Sequence, residues 1–230
     1  MVDRFAAEAI LAILLEAHSA VYIEIAKVAS SSLKVAFAKL LGLDLTAVDG
    51  DPHRLDFPSP GAADLNAPRL FPRHWTFSFV RNPWDRLVSC YRDKIGGEVT
   101  DFTGMSERGV AHCLDGYEAF TAGMSFEEFV DAVARIPDED ADEHFRSQHW
   151  CLTNAAGDLA VDFVGRYESL ASDFEHVAKR IGLPSGISLT RLQANPFPSP
   201  YVEFYDARTR DLVKHRYARD IDSFDYRYGD

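Results

Sequence analysis

The chain has 230 residues, 47% of them hydrophobic, and its 36 acidic against 24 basic side chains leave a net charge of −12. That is enough apolar material for one sizeable core, and the acidic balance argues against a general nucleic-acid binder, which presents a basic face. Cys90, Cys113 and Cys151 are too few and too scattered for a disulfide framework or a CxxC metal site, which fits a reducing compartment.

Residues 6–15, AAEAILAILL, are too short to span a bilayer, contain Glu8, and lack the basic leader and cleavage site of a targeting segment. They predict an amphipathic first helix, capped by Asp3 and running to about His18. Val21 to Ala26 then reads as a strand, with Glu24 unusual inside it. Lys27-Val28-Ala29-Ser30-Ser31-Ser32 is a turn of small residues, and the spacing of Leu33, Phe37, Leu40 and Leu41 predicts a helix that ends near Gly42. Residues 44–73 are dense in turn formers and read as an irregular excursion.

Trp75 to Val80 is the next strand. It stops at Arg81-Asn82-Pro83, where a helix begins at once with proline in its favoured first turn. Gly96-Gly97 breaks that helix. Ser125-Phe126-Glu127-Glu128 is a capping box opening a helix to about Ile136. A third strand is expected at Val161 to Arg166, followed by a helix from Glu168 to Ile181 that stops at Gly182-Leu183-Pro184. Asn195 to Pro200 must be extended or turned, and a last helix runs from about Asp206 to Asp222. Strands alternating with helices imply an α/β fold around a mostly parallel sheet. No repeat, low-complexity tract or boundary divides residues 1–230, which read as one domain.

Two places in this pattern suit an anion. At Lys27 to Ser32, unobstructed backbone N–H groups, a following helix N-terminus, three hydroxyls and a lysine converge. The bland alternative is a serine-rich N-cap beside a surface lysine. It is not a Walker A loop, because the lysine precedes the turn and no glycine occurs between Val21 and Leu41. At the end of the second strand, Arg81 offers a guanidinium that can grip a phosphate bidentately, with Ser89 on the helix that follows. The alternative there is a core strand and a helix with surface salt bridges. That alternative accounts for Leu87, Val88 and Tyr91 but not for the basic and hydroxyl group at the strand end.

These residues carry a resemblance. Lys27 to Ser32 resembles the 5′-phosphosulfate loop of sulfotransferases, and Arg81-Asn82-Pro83-Trp84-Asp85-Arg86-Leu87-Val88-Ser89 through Lys94 is similar to their 3′-phosphate motif. The likeness is strongest to carbohydrate sulfotransferases of the chondroitin, dermatan and HNK-1 type. It extends in order through Asp142-Glu143-His144-Phe145 with Gln148, Asp162 to Leu170 with Asp173, and Tyr217 to Ile221 before Phe224-Asp225-Tyr226. Ala26 departs from the family's usual proline. The chain also lacks the membrane anchor and paired cysteines of the animal enzymes, which directs the expectation to a cytoplasmic, bacterial protein without an integral membrane segment.

The resemblance implies a P-loop-like three-layer fold with a central, mostly parallel sheet flanked by helices. It implies transfer of a sulfuryl group from 3′-phosphoadenosine 5′-phosphosulfate to a hydroxyl, leaving adenosine 3′,5′-bisphosphate, with no metal. Lys27, Val28, Ala29, Ser30, Ser31 and Ser32 would hold the 5′-phosphosulfate, Lys27 also stabilising the leaving phosphate, and Arg81 and Ser89 would hold the 3′-phosphate. Tyr167 joins the donor site on the same basis. The acceptor hydroxyl needs a base, for which imidazole titrates in a suitable range. His144 leads, with Glu24, His74 and His149 as alternatives. The acceptor is expected to be carbohydrate-containing and shaped by insertions near 44–73 and 96–148. The competing readings are a kinase-like nucleotide phosphotransferase and a non-catalytic nucleotide-binding protein.

Overall fold

A computed structural model describes residues 10–95, 104–189 and 200–230. They form two compact units. The first comprises the described residues up to Val80 and from Gln148 to 189; the second comprises Arg81–Ser147 and the residues from 200 onward.

The first unit is built on a four-stranded sheet ordered β1-β2-β3-β4. Strand β3 (Trp75–Val80) pairs in parallel with β2 (Ala20–Ile23) on one side and β4 (Phe163–Arg166) on the other. Every β3 residue after Trp75 is buried, as expected of an inner parallel strand covered on both faces. Its buried Ser78 is satisfied by donating to the Ile23 carbonyl at 2.8 Å. Helices α1 (Ser30–Leu41) and α5 (Leu170–Ile181) pack through Phe37 and Phe174, whose ring centroids lie 6.4 Å apart. Phe37 also meets Tyr22 at 5.2 Å and Phe77 at 6.2 Å. The mostly parallel, helix-flanked α/β architecture expected from the sequence is therefore present.

The first element is a correction. Ala12–Leu15 is not helical but strand β1, antiparallel to β2, with Ala12 opposite Ile23 and Leu15 opposite Ala20. Ile13 and Leu15 are buried while Ala12 and Leu14 are half-buried, a period of two that the Ala-Leu composition hides. A single 3-10 turn (Glu16–His18) and left-handed Ser19 close the hairpin. Pairing with β2 overrides helix propensity here. The outer side of β1 is met in turn by residues of the irregular 44–73 excursion, where the Pro58 carbonyl accepts from Leu14 N–H at 2.7 Å.

Two later boundaries differ by a turn or less. β4 starts at Phe163, and a 3-10 turn (Tyr167–Ser169) precedes α5. Gly165 is required in β4, because a Cβ there would stand 2.6 Å from the Phe79 ring. Short helix α4 (Gln148–Leu152) completes this unit.

The second unit packs helices α2 (Pro83–Lys94), α3 (Phe126–Arg135), α6 (Ala207–Arg216) and α7 (Ala218–Phe224) around Leu87, Phe120, Phe129, Phe145 and Tyr217. The capping box at Ser125 and Glu128 forms as its sequence predicts. The single last helix does not. It divides at Tyr217, which leaves helical backbone geometry, buries its ring and donates its hydroxyl to the Phe145 carbonyl at 2.6 Å. The Asp3 cap, the Gly96-Gly97 break and most of the Asn195–Pro200 stretch lie outside the described residues. Among the described residues, no helix is long and apolar enough to cross a membrane.

Candidate functional site

The carboxyl ends of β2, β3 and β4 lie side by side in the sheet, and ligands of parallel α/β sheets bind beyond such ends. Each end leads into a stretch singled out by sequence. β2 runs into the Lys27–Ser32 turn, β3 into Arg81 and β4 into Tyr167.

The turn after β2 takes an unusual path. Lys27 and Ala29 both have left-handed backbones, with φ of 67° and 53°, in a stretch without glycine. Such conformations cost about 1–2 kcal/mol each in non-glycine residues. Buried Val28 anchors the loop between them. Ala29, at the N-cap of the twelve-residue helix α1, makes no side-chain cap hydrogen bond. Left-handed turns that point successive N–H groups inward form anion nests. Backbone path, helix N-terminus, Lys27 and the hydroxyls of Ser30, Ser31 and Ser32 together fit a phosphate or phosphosulfate.

Beside the cradle stands a chain of polar groups that sequence reasoning did not assemble. Glu24 pairs with Lys34 at 2.9 Å, and their side chains are only 8% and 12% exposed. Lys34 Nζ lies 3.2 Å from His53 Nδ1, and His53 Nε2 lies 2.8 Å from Ser31 Oγ. An ammonium only donates, so Nδ1 accepts, and a neutral His53 donates its Nε2–H to Ser31. Asp51, buried, accepts from the His53 backbone N–H and fixes its turn. Lys34 lies three residues after Ser31 on one helix face, but nothing local marks His53.

After β3, Arg81 donates Nε–H to Asp85 at 2.7 Å across one helical turn. Asn82 is fully buried and holds the corner. Its Oδ1 caps Trp84 N–H at 3.1 Å, and its amide donates to the Arg227 carbonyl at 2.9 Å. Ser89 lies half-buried on α2. Arg86, on the same helix, is buried and donates to the carbonyls of Glu143 (2.9 Å) and Arg146 (2.7 Å). Those two carbonyls bracket His144 and Phe145, so Arg86 is a clamp for the His144 segment.

His144 Nδ1 stands 2.6 Å from Asp142 Oδ1, which also accepts from the His144 backbone N–H. Burial pushes the Asp142 carboxyl up, but its hydrogen bonds with His144 and the charges of His144 and Lys94 outweigh this and hold it below the usual carboxylate range. An ionised Asp142 accepts the Nδ1 proton, which leaves the Nε2 lone pair as the basic position of the ring. Cys113 approaches the same two side chains, and one donor atom from each of the three lies within 4.8 Å of the others. The sequence reading found no such cluster, because Cys113 is remote from the Asp142–His144 turn along the chain.

The remaining candidates are dispersed. Tyr167 opens the turn after β4, where Asp173 accepts from the Arg166 N–H and the Ser169 hydroxyl at 2.7 and 2.8 Å. His74 immediately precedes β3, at the opposite end of that strand from Arg81, roughly 20 Å away by strand rise. His149 is buried on α4.

Residues 12–227 match the family described as the Sulfotransferase family. The chain is 29% identical over 192 residues to carbohydrate sulfotransferase 14 of Danio rerio, covering 76% of this chain and 49% of that protein. It is 31% identical over 186 residues to the Homo sapiens protein of the same name, covering 75% and 47%. It is 25% identical over 224 residues to carbohydrate sulfotransferase 8 of Mus musculus, covering 90% and 50%. The chain thus spans about half the length of the curated relatives it matches. These vertebrate relatives count against the bacterial source expected from the sequence, and neither they nor the fold support a cytoplasmic setting. No solved structure matches the chain.

Proposed function

Because the chain belongs to the sulfotransferase family, we propose that it transfers a sulfuryl group from 3′-phosphoadenosine 5′-phosphosulfate to a hydroxyl of a carbohydrate-containing acceptor. The observation that carries the reading is the Lys27–Ser32 cradle, with two left-handed residues leading into a helix N-terminus whose N-cap, Ala29, makes no side-chain cap bond. The family match runs through both compact units, and this favours one sulfotransferase domain over the whole chain. The carbohydrate acceptor is taken from the names of the relatives.

In this reading the sulfur leaves the donor's phosphate oxygen and bonds to the acceptor oxygen. The acceptor proton passes to His144 Nε2, the position that the Asp142 hydrogen bond leaves basic. Lys27 and the helix N-terminus stabilise charge on the departing phosphate, the kind of preorganised electrostatics that dominates such transfers. Arg81 and Ser89 take the 3′-phosphate, and Tyr167 supports the donor beyond β4. Glu24 is less suited to the base role, since Lys34 already occupies it.

Transfer of labelled sulfate from the donor into a panel of saccharides, with mass analysis of the products, tests the reading. Stabilisation of the protein by adenosine 3′,5′-bisphosphate is expected to accompany it. Stabilisation by ATP with Mg²⁺ and not by the bisphosphate would overturn it.

A further inference from the structure

We propose that Cys113, Asp142 and His144 form a three-ligand site for Zn²⁺, with a fourth position open to water. The ligand set is the first argument. A thiolate, an imidazole and a carboxylate are borderline to soft donors that select Zn²⁺ over Mg²⁺ or Ca²⁺, which prefer all-oxygen sites. The second argument is spacing. The three donor atoms lie within 4.8 Å of one another. Around a tetrahedral Zn²⁺ with bonds of about 2.0–2.3 Å, ligand atoms stand roughly 3.3–3.8 Å apart. Closing the widest separation takes about 1–1.5 Å, and the Asp142 Oδ1 and His144 Nδ1 atoms, 2.6 Å apart, open by about 1 Å as the metal replaces their hydrogen bond, both within the reach of side-chain rotation.

The third argument is that packing and hydrogen bonds hold the two ligand segments together. Cys113 sits in a 3-10 turn (His112–Leu114) whose Leu114 is fully buried. Asp142 and His144 flank the Ala141 and Phe145 anchors of the same core. Tyr117 meets Phe145 edge to face at 5.6 Å and donates its hydroxyl to the Asp140 carbonyl at 2.6 Å, tying the Cys113 segment to the Asp142 segment. Arg86 and Arg146 fix the backbone from the other side through the carbonyls of Glu143 and Ala141. A preformed pair of segments makes the ordering cost of metal binding small. All three ligand side chains are half-buried, open enough for an ion to enter and for water to fill the fourth position. Binding replaces the thiol proton by the metal, and that proton is released to solvent.

The site does not depend on the chain being a sulfotransferase. If the sulfotransfer reading above holds, bound Zn²⁺ takes His144 away from the acceptor hydroxyl and the ion inhibits.

Titration of the reduced protein with Zn²⁺ against a chromophoric chelator, repeated with Co²⁺ for its spectrum, tests the site. One equivalent is expected to bind, insensitive to millimolar Mg²⁺. Co²⁺ is expected to give an intense thiolate charge-transfer band. Cys113→Ser should abolish the band and weaken Zn²⁺ binding about 100-fold, as should His144→Ala, while Cys151→Ser should change neither. Circular dichroism separates loss of binding from loss of folding, and the wild-type Co²⁺ spectrum decides the matter even if a variant fails to fold. Absence of a thiolate band in the wild type, or binding undiminished in Cys113→Ser, would overturn the proposal whatever the enzyme's activity.

Discussion

Glu24 Oε2 and Lys34 Nζ are joined at 2.9 Å between the end of β2 and the first turns of α1, with both side chains nearly out of solvent. Removing one partner of such a pair strands the other, which costs about 3 kcal/mol, whereas replacing both with apolar groups is often neutral. Glu24→Gln is therefore expected to lower the unfolding free energy by about 3 kcal/mol, and the double variant Glu24→Leu with Lys34→Met to recover most of it. Urea denaturation of the wild type and the two variants checks this. A Glu24→Gln protein of full stability but lost turnover would instead return Glu24 to the role of base.

His53 bridges Lys34 and Ser31 from the surface. Its loss removes hydrogen bonds without opening a cavity, so His53→Ala should leave stability within about 0.5 kcal/mol of the wild type. The Ser31 hydroxyl loses its orientation, and affinity for adenosine 3′,5′-bisphosphate should fall several-fold, on the order of the 1 kcal/mol a neutral hydrogen bond contributes. Calorimetric titration reads both the affinity and its enthalpy. An unchanged affinity would remove His53 from the donor site.

What the sequence disclosed and what it hid divide along the range of the interactions. β3, α2 and α3 carry their signals locally: a buried apolar run, Asn82-Pro83 at a helix start, and the Ser125–Glu128 box. The positions of the Lys27–Ser32 turn after β2 and of Arg81 at the end of β3 follow from the same local signals. β1 was not legible, because AILL satisfies a helix or a strand equally and only its pairing with β2 decides. The break at Tyr217 depends on the Phe145 carbonyl, and the placements of His53 and Cys113 depend on chain segments that meet only on folding.

Ala29 offers a direct test of the cradle's backbone. Its φ of 53° is one that glycine adopts without steric cost. Ala29→Gly relieves that strain but gains unfolded-state entropy, so a net stabilisation of up to about 1 kcal/mol is expected. Donor affinity should stay close to the wild type, because the anion is read by N–H groups and not by the Ala29 methyl. Ala29→Val should destabilise, since a β-branched residue tolerates this region poorly. Thermal melts with and without adenosine 3′,5′-bisphosphate separate the two effects.

Asp138 ties α6 to the segment before His144. It accepts from Arg216 at 2.7 Å and from the Ser147 hydroxyl and N–H. Burial raises the Asp138 carboxyl, but the Arg216 charge and these hydrogen bonds outweigh it and leave its pKa depressed. A depressed folded pKa means the stabilisation is complete above the unfolded value of about 3.9 and disappears as pH falls through the folded one. Asp138→Asn should cost about 3 kcal/mol at pH 7. The gap to the wild type should narrow steadily as pH drops below about 4. Denaturation curves across that range check it, and a gap independent of pH would mean that the charge is not what stabilises.

Arg81 and Lys27 are expected to fail in different ways. Arg81 stands at the end of β3, held by Asp85 through Nε, and in the proposed donor site it grips the 3′-phosphate. Arg81→Lys keeps the charge but loses the planar fork, so affinity for the bisphosphate should drop by about 10–100-fold, with a smaller change in kcat at saturating donor. Lys27 has its proposed role at the bond being broken, where an interaction stronger in the transition state than in the ground state lowers kcat. Lys27→Ala should therefore reduce kcat by about 100-fold or more while bisphosphate affinity changes by less than about tenfold. Steady-state kinetics with equilibrium binding on both variants distinguish these outcomes. A swapped pair of phenotypes would mean that the nucleotide lies in the opposite direction, with its 3′-phosphate on the Lys27 cradle.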